Sequence, residues 1–387
     1  MIWDNTIFEE IPETFECTHL KAEGLTPLFY SNVPYKGKPT RVFAWLGLPK
    51  GASKENPAPA IVLIHGGGGT AFEEWVRHWN NLGYAAISMD TCGAMPPPDC
   101  ISRSDPSWPR HSHSGPGGWG GWNQMDDAPR DHWTYHAVNA IARGHSLLQS
   151  LPEVDGTRIG VTGVSWGGVL TCLSASLDKR YKCASPIYGC GFIEEESGLE
   201  WTKIFKNMAP DNRQFWKENW DPAAYLSQLS CPTLWTNGTN DFTFFPSSWQ
   251  KSIDATKGEK YQNLKVRLPH NHLPDGESQK ETVVFMDSFL QNKPAYPKIK
   301  ECIISKEHAT AIVSANTKIL DAQLVITFDN SYWPDRQWHI ISTKWDKATA
   351  TAKADIPKGT TAAYIQFLDE REVYISTPIT FFTCLSG

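Results

Sequence analysis

No stretch of this sequence approaches the roughly 20 consecutive apolar residues that a membrane-spanning helix needs. Nor is there an excess of basic charge: 36 Lys and Arg against 42 Asp and Glu give 36 − 42 = −6. That balance removes the electrostatic basis for nucleic acid or an anionic membrane as partner. The opening residues, Met1-Ile2-Trp3-Asp4-Asn5, supply neither the basic n-region nor the apolar h-region of a secretory leader. A cytoplasmic location is the expectation, or a periplasmic or secreted one if a leader has been cut away. The nine cysteines have no metal-like spacing, which favours reduced thiols over a disulfide framework or a zinc site. A Gly-Lys-Ser/Thr ending is missing, as is a Gly-x-Gly-x-x-Gly followed by a ribose-binding acid, which disfavours a nucleotide site. His132 and His136 are spaced for a metal, but Trp133 stands where His-Glu-x-x-His requires Glu, and His111-Ser112-His113 lies in a loop. Both pairs read as structural, and no metal or organic cofactor is expected. No internal repeat is present.

What is there is a globular chain with ample core, 387 residues of which 40% are hydrophobic and 20% charged. Its 17 tryptophans stand out, because partly exposed indole rings serve as binding platforms. Residues 15–47 read as antiparallel strands, with a turn at Pro34-Tyr35-Lys36-Gly37-Lys38-Pro39. Ala60-Ile61-Val62-Leu63-Ile64-His65 is a continuous apolar run, as in a strand buried on both faces, and Gly66-Gly67-Gly68-Gly69 follows it. A helix over about 71–82 and a strand at 84–90 continue the alternation of a parallel sheet. Residues 91–123 lack either periodicity and are dense in Pro and Gly. Their tryptophans (Trp108, Trp119, Trp122) argue for order, and the loop reads either as part of a substrate pocket or as a structural flap. A helix over 127–151 comes next, then strands at 158–161, 182–189, 232–237 and 264–268, and a last helix over 278–290. An aromatic-rich insertion at 190–220 is placed to roof a site. Beyond the linker at 292–298, strands at 322–328, 337–343, 349–355, 362–368 and 373–376 alternate with turns, the pattern of a small β-sandwich.

The chemistry centres on Gly163-Val164-Ser165-Trp166-Gly167-Gly168, between a strand and a helix. Gly-x-Ser-x-Gly in that setting is a nucleophile elbow, whose glycines let the backbone turn sharply and lift the serine clear of the sheet. A serine hydroxyl needs a base within hydrogen-bond reach, and an acid to orient that base. Later strand ends offer Asp241, then His270 and His272, in the order Ser, acid, His. All such carboxyl ends share one edge of an open α/β sheet. His272 is preferred as the base because it sits further into its loop, with His270 as second choice. Oxyanion donors are expected from the amide of Trp166 and from Gly67 or Gly68.

These motifs resemble the α/β-hydrolases, and within them the dienelactone-hydrolase and acetyl-xylan-esterase-like branch. The resemblance rests on His65-Gly66-Gly67-Gly68-Gly69, the elbow, the Asn237-Gly238-Thr239-Asn240-Asp241 turn and the late histidine. It implies a mostly parallel sheet flanked by helices, with Ser165, Asp241 and His272 as a triad. Dienelactone hydrolases proper use a cysteine nucleophile, so serine shifts the reading toward ester hydrolysis. The expected organisation is a catalytic domain at 1–293 and an Ig-like β-sandwich accessory domain at 294–387, which is similar to domains appended to some bacterial esterases. The expected activity is that of a serine carboxylic-ester hydrolase acting through an acyl-enzyme on a small-molecule or oligosaccharide ester, with Trp108, Trp119 and Trp122 as substrate contacts. A prolyl-oligopeptidase-like peptidase and a non-catalytic glycan-binding protein are the alternatives. The accessory domain is left open between binding glycan, joining two copies and covering an apolar face.

Overall fold

The computed structural model describes residues 2–97 and 108–382. A nine-stranded sheet organises the first three quarters of the chain. Its strands are β1 (Thr14–Glu16), β2 (Leu25–Tyr35), β3 (Lys38–Gly47), β4 (Ala58–Ile64), β5 (Ala85–Met89), β6 (Val154–Val164), β7 (Cys183–Ile187), β8 (Thr233–Gly238) and β9 (Lys260–Lys265). They lie in the order β1-β2-β3-β5-β4-β6-β7-β8-β9. From β5 to β9 every neighbouring pair is parallel, while β1, β2 and β3 add an antiparallel edge. The apolar runs explain the centre: all seven residues of β4 and all five of β5 and of β7 are buried. Burial on both faces is what a parallel sheet between helices imposes. The helices Trp133–Ser150 and Trp166–Leu177 supply much of that cover, each almost wholly buried. Among the described residues no helix is long and apolar enough to cross a membrane.

Three boundaries differ from the sequence reading. The long helix begins at Trp133, after a 3-10 turn at Pro129–Asp131, because the charged stretch before it forms turns. The strand expected at 264–268 runs over Lys260–Lys265 instead. Its interior carries Gln262 and Asn263, buried amides that hide the strand pattern, and Arg267 at φ 53° bends the chain away from the sheet. Two strands, Lys298–Ile304 and His308–Ser314, stand where none was expected. A register shift between Ile299 and Glu301 breaks the alternation of the first, and the second buries only Ala309, Ala311 and Val313, small side chains that weaken the signal.

These two strands join Thr351–Asp355 and Lys344–Asp346 in a four-stranded antiparallel sheet. A five-stranded antiparallel sheet is built from Trp338–Ser342, Ile319–Thr327, Ala362–Asp369, Tyr374–Ser376 and Thr380–Phe381. The two meet where the half-buried Trp345 packs on the buried Phe367, their rings 5.7 Å apart. One continuous cluster of buried apolar residues runs from Trp3 to Ile379. The C-terminal sheets are tied to the large sheet where the amide of Leu264 in β9 donates to Ser376 Oγ at 3.1 Å. A second tie, to the helix Lys280–Leu290, is the Tyr374 amide, which donates to Glu281 Oε1 at 3.1 Å.

The described flanks of the Pro/Gly/Trp loop are held together by an arginine that composition alone did not single out. Arg110 donates to the Cys92 carbonyl at 2.6 Å and also to the Gly115 carbonyl, stapling the two flanks of the loop together. The middle of that loop, 98–107, lies outside the described residues.

Candidate active site

Ser165 occupies the sharp turn between β6 and the helix Trp166–Leu177, with φ 60° and ψ −119°. An L-residue in that region carries strain, which the surrounding contacts have to enforce. They do so through glycines. A Cβ on Gly163 would lie 2.3 Å from the Gly167 carbonyl oxygen, and one on Gly167 would lie 2.1 Å from that of Ile64. A Cβ on Gly168 would meet the Ile187 carbonyl at 2.6 Å. The turn is possible only where the chain has no side chain at these three positions.

The structure brings His270, and not His272, to the serine. His270 Nε2 lies 2.7 Å from Ser165 Oγ, and His270 Nδ1 lies 2.7 Å from Asp241 Oδ2. The preference for His272 as base is therefore corrected. Its premise was that the histidine further into the loop reaches the serine; with β9 ending at Lys265, His270 already stands five residues past the strand and makes that contact. Asp241 is buried, and its other oxygen accepts from the amides of Thr243 and Phe244 at 2.8 and 2.7 Å. Those bonds hold the carboxylate as an acceptor facing His270, which fixes the neutral ring with its proton on Nδ1 and Nε2 free to accept from the serine. The imidazole is stacked on Tyr188, centroids 4.4 Å apart, and flanked by Phe242 at 4.9 Å. Tyr188 in turn donates its hydroxyl to the Pro269 carbonyl at 2.7 Å, which anchors the loop that carries the base. The Tyr188 clamp was not found from sequence, since nothing local marks a tyrosine just after β7 as a partner of residue 270.

His272 has another place. Its Nε2 accepts the amide of Gly66 at 3.0 Å and its Nδ1 faces Glu277 Oε1 at 2.8 Å. It steadies the glycine turn after β4. His65 steadies the same turn from the other side: Nδ1 donates to the Gly66 carbonyl at 2.7 Å, and Nε2 accepts the Thr91 amide at 2.9 Å. Burial pushes its pKa down to about 4, so it is neutral near pH 7. The Gly66 amide is thus engaged. Trp166 opens its helix, so its amide is among the first-turn donors that no intrahelical carbonyl satisfies. Gly67 lies close under the indole of Trp119: a Cβ there would come within 2.8 Å of the ring. Gly68, at φ 72°, offers its carbonyl to Trp108 Nε1 at 3.1 Å.

The loop and the insertion meet over the elbow. Trp119 and Trp122 come from the loop, Trp201 from the insertion helix Leu199–Asn207, and Trp166 from the elbow itself. Trp122 stacks on Trp201 at 4.8 Å, Trp119 meets Trp201 edge-on at 5.1 Å, and both loop tryptophans contact Trp166 at 5.1–5.7 Å. Trp108 stands apart, edge-on to Phe72 at 5.9 Å. His132 is engaged within the protein, with Nε2 on the Asp127 carbonyl and Nδ1 accepting from Trp220, both at 3.0 Å. His136 packs edge-on against Tyr35. Among the described residues no cluster of three or more His, Cys, Asp or Glu is arranged to hold a metal ion.

Two families match this chain, acetyl xylan esterase over residues 16–193 and the prolyl oligopeptidase family over 116–294. The chain has the α/β-hydrolase fold. Over its first half it is similar to acetyl xylan esterases, and over its middle to the prolyl oligopeptidase family. The fold of this α/β-hydrolase is that of the acetyl xylan esterase from Paenibacillus sp. R4, with a TM-score of 0.57 at 21% identity over 72% of this chain and 89% of that one. Acetyl xylan esterase 1 from Thermoanaerobacterium sp. JW/SL YS485 gives 0.56 at 19%, covering 74% and 92%. Among curated proteins, acetyl esterase Axe7A of Xylanibacter ruminicola is 27% identical over 125 residues, 31% of this chain and 28% of that protein. A probable dipeptidyl-peptidase 5 of Aspergillus clavatus is 24% identical over 236 residues, 57% of this chain and 29% of that protein. The chain thus aligns with less than a third of the length of these curated relatives.

Proposed function

We propose that the protein is a serine carboxylic-ester hydrolase that removes small acyl groups, acetyl foremost, from a carbohydrate alcohol. The observation that carries the reading is the line Asp241–His270–Ser165, with both contacts at 2.7 Å. His270 takes the Ser165 proton as Oγ attacks the ester carbonyl, and Asp241 stabilises the imidazolium that forms. The amides of Trp166 and Gly67 are assigned to the oxyanion, an arrangement in which one donor is typically worth about 3–4 kcal/mol of barrier. His270 then protonates the departing alkoxide, leaving an acyl-serine. Water, deprotonated by the same nitrogen, attacks that ester and releases the acid. Support for a small acyl group comes from the four packed tryptophans beside the elbow, which occupy space a long acyl chain would need. The match to acetyl xylan esterases over the elbow supports the carbohydrate alcohol. Trp108, Trp119 and Trp122 are assigned to the substrate.

A second reading, cleavage of peptide amides, is favoured by one observation: the prolyl oligopeptidase match spans Ser165, Asp241 and His270 together. The deciding experiment is a panel of acetylated xylo-oligosaccharides, methyl, feruloyl and glucuronoyl esters and proline-containing peptides, with Ser165→Ala as control. The ester reading expects the highest kcat/KM on acetyl esters and none in the control. A preference for the peptides would replace it with the peptidase reading. Turnover surviving in Ser165→Ala would defeat both.

A further inference from the structure

The turn that carries the acid is gripped from outside the large sheet. Asn240, next to Asp241, aims its side-chain amide at three main-chain carbonyls of the C-terminal region: Arg336 at 2.8 Å, Pro334 at 3.0 Å and Trp333 at 3.3 Å. Arg267, on the loop leading to His270, donates to the same Arg336 carbonyl at 3.0 Å. Arg267 also gives its amide to Thr239 Oγ1 at 3.0 Å, and Thr239 donates to Asn240 Oδ1 at 2.7 Å. The acid turn and the base loop are thereby tied to each other and to one external point.

That point is itself braced. The segment 329–337 links the strands Ile319–Thr327 and Trp338–Ser342. The Arg336 guanidinium lies 3.5 Å from the centre of the buried Trp333 ring and donates Nε to the Ser331 carbonyl at 2.8 Å. Trp333 reaches the other way, with Nε1 3.3 Å from Glu196 Oε1 in the insertion. One C-terminal segment therefore touches the acid turn, the base loop and the insertion that roofs the site.

We infer that the 329–337 segment is a working part of the catalytic centre, with Asn240 and Trp333 as positioning residues that hold Asp241 in register with His270. The inference rests on the triad assignment above and gives the C-terminal region a role in turnover. The physical reason is tolerance. A catalytic hydrogen bond loses its effect when a partner shifts by about 1 Å, and the polar side chains of this turn are fixed through hydrogen bonds that converge on the 329–337 segment. Three carbonyls converging on one amide also specify Asn240, since a buried carbonyl needs a donor.

The test uses the full-length chain with Asn240→Ala, Trp333→Phe and the double variant. Fluorophosphonate labelling of Ser165 counts competent sites, p-nitrophenyl acetate turnover is read per labelled site, and the downfield proton resonance of the His270–Asp241 hydrogen bond is followed by NMR. Expected for Asn240→Ala is a roughly 10–100-fold lower kcat with KM within about twofold. Its acidic limb should move to lower pH, because a displaced carboxylate stabilises the imidazolium less, and the downfield resonance should weaken. Trp333→Phe should move the same readouts in the same direction, and the double variant should be no worse than Asn240→Ala alone. Wild-type kcat per labelled site with an unmoved limb and resonance in Asn240→Ala would overturn the inference. If the wild type does not label, the hydrolase reading fails by itself, and the resonance alone then decides whether Asn240 holds the pair.

Discussion

In the loop after β9, two positions separate contact with the serine from support of the glycine turn. His270 faces Ser165 and Asp241, while two residues on His272 accepts the Gly66 amide and faces Glu277. His270→Ala is expected to lower kcat by about 10⁴-fold or more, as loss of a triad base does. His272→Ala is expected to lower it by about tenfold, by loosening the turn that bears Gly67. Steady-state kinetics on p-nitrophenyl acetate separates the two, and equal losses would return the assignment to doubt. A second residue-level expectation concerns stability. Burial pushes the pKa of His136 down to about 4 from its ordinary value of 6.5, outweighing the nearby Asp131 carboxylate that favours the charged ring. The unfolded chain binds the extra proton between those values, so stability is intact above about pH 6.5 and declines as pH falls toward 4. At pH 5 the loss from this one group is ~2 kcal/mol. His136→Leu should therefore lose less stability than wild type between pH 7.5 and pH 5, as read by urea unfolding. Parallel pH curves would mean that His136 is not the source.

At the scale of elements, the elbow is a strand, a strained serine and a helix held together by glycine contacts. Gly167→Ala places a methyl 2.1 Å from the Ile64 carbonyl oxygen, so the helix has to move off β4. A loss of about 1–3 kcal/mol and most of the activity is expected from that overpacking, by denaturant melts and labelling of Ser165. Full labelling in Gly167→Ala would show that the turn tolerates more than its geometry suggests. The elbow was legible because its demands are local: three glycines and a serine between a strand and a helix admit few other readings. β9 was not, because Gln262 and Asn263 are buried amides, and their burial is a tertiary fact. The base assignment failed with it, since the end of β9 sets which histidine reaches the serine. The tryptophan cluster shows the intermediate case. Its members on the loop were candidates from composition, while the stacking of Trp122 on Trp201 joins segments 79 residues apart (201 − 122) and had no local sign.

For the whole molecule, the apolar cluster that runs without a break from Trp3 to Ile379 sets the expectation. A chain cut after Lys293 would uncover β9, whose Leu264 amide is bonded to Ser376, and would leave Asn240 without its three carbonyls. Such a truncation is expected to be aggregated or poorly active by size-exclusion chromatography and labelling. A monodisperse, fully active 1–293 would mean that the two parts are energetically independent, despite their shared core.

The alternation of strands and helices around the parallel sheet, the elbow serine, the candidate acid and the glycine turn after β4 were legible in the sequence alone. Each depends on a pattern within a few residues, such as apolar periodicity, turn chemistry or glycine spacing, and local sterics enforce such patterns wherever they occur. The choice of His270 over His272, the Tyr188 clamp, the tryptophan cluster over the elbow and the grip of 329–337 on Asn240 were decided by the tertiary structure. They bring together side chains and carbonyls tens of residues apart, and only the closed core sets those distances.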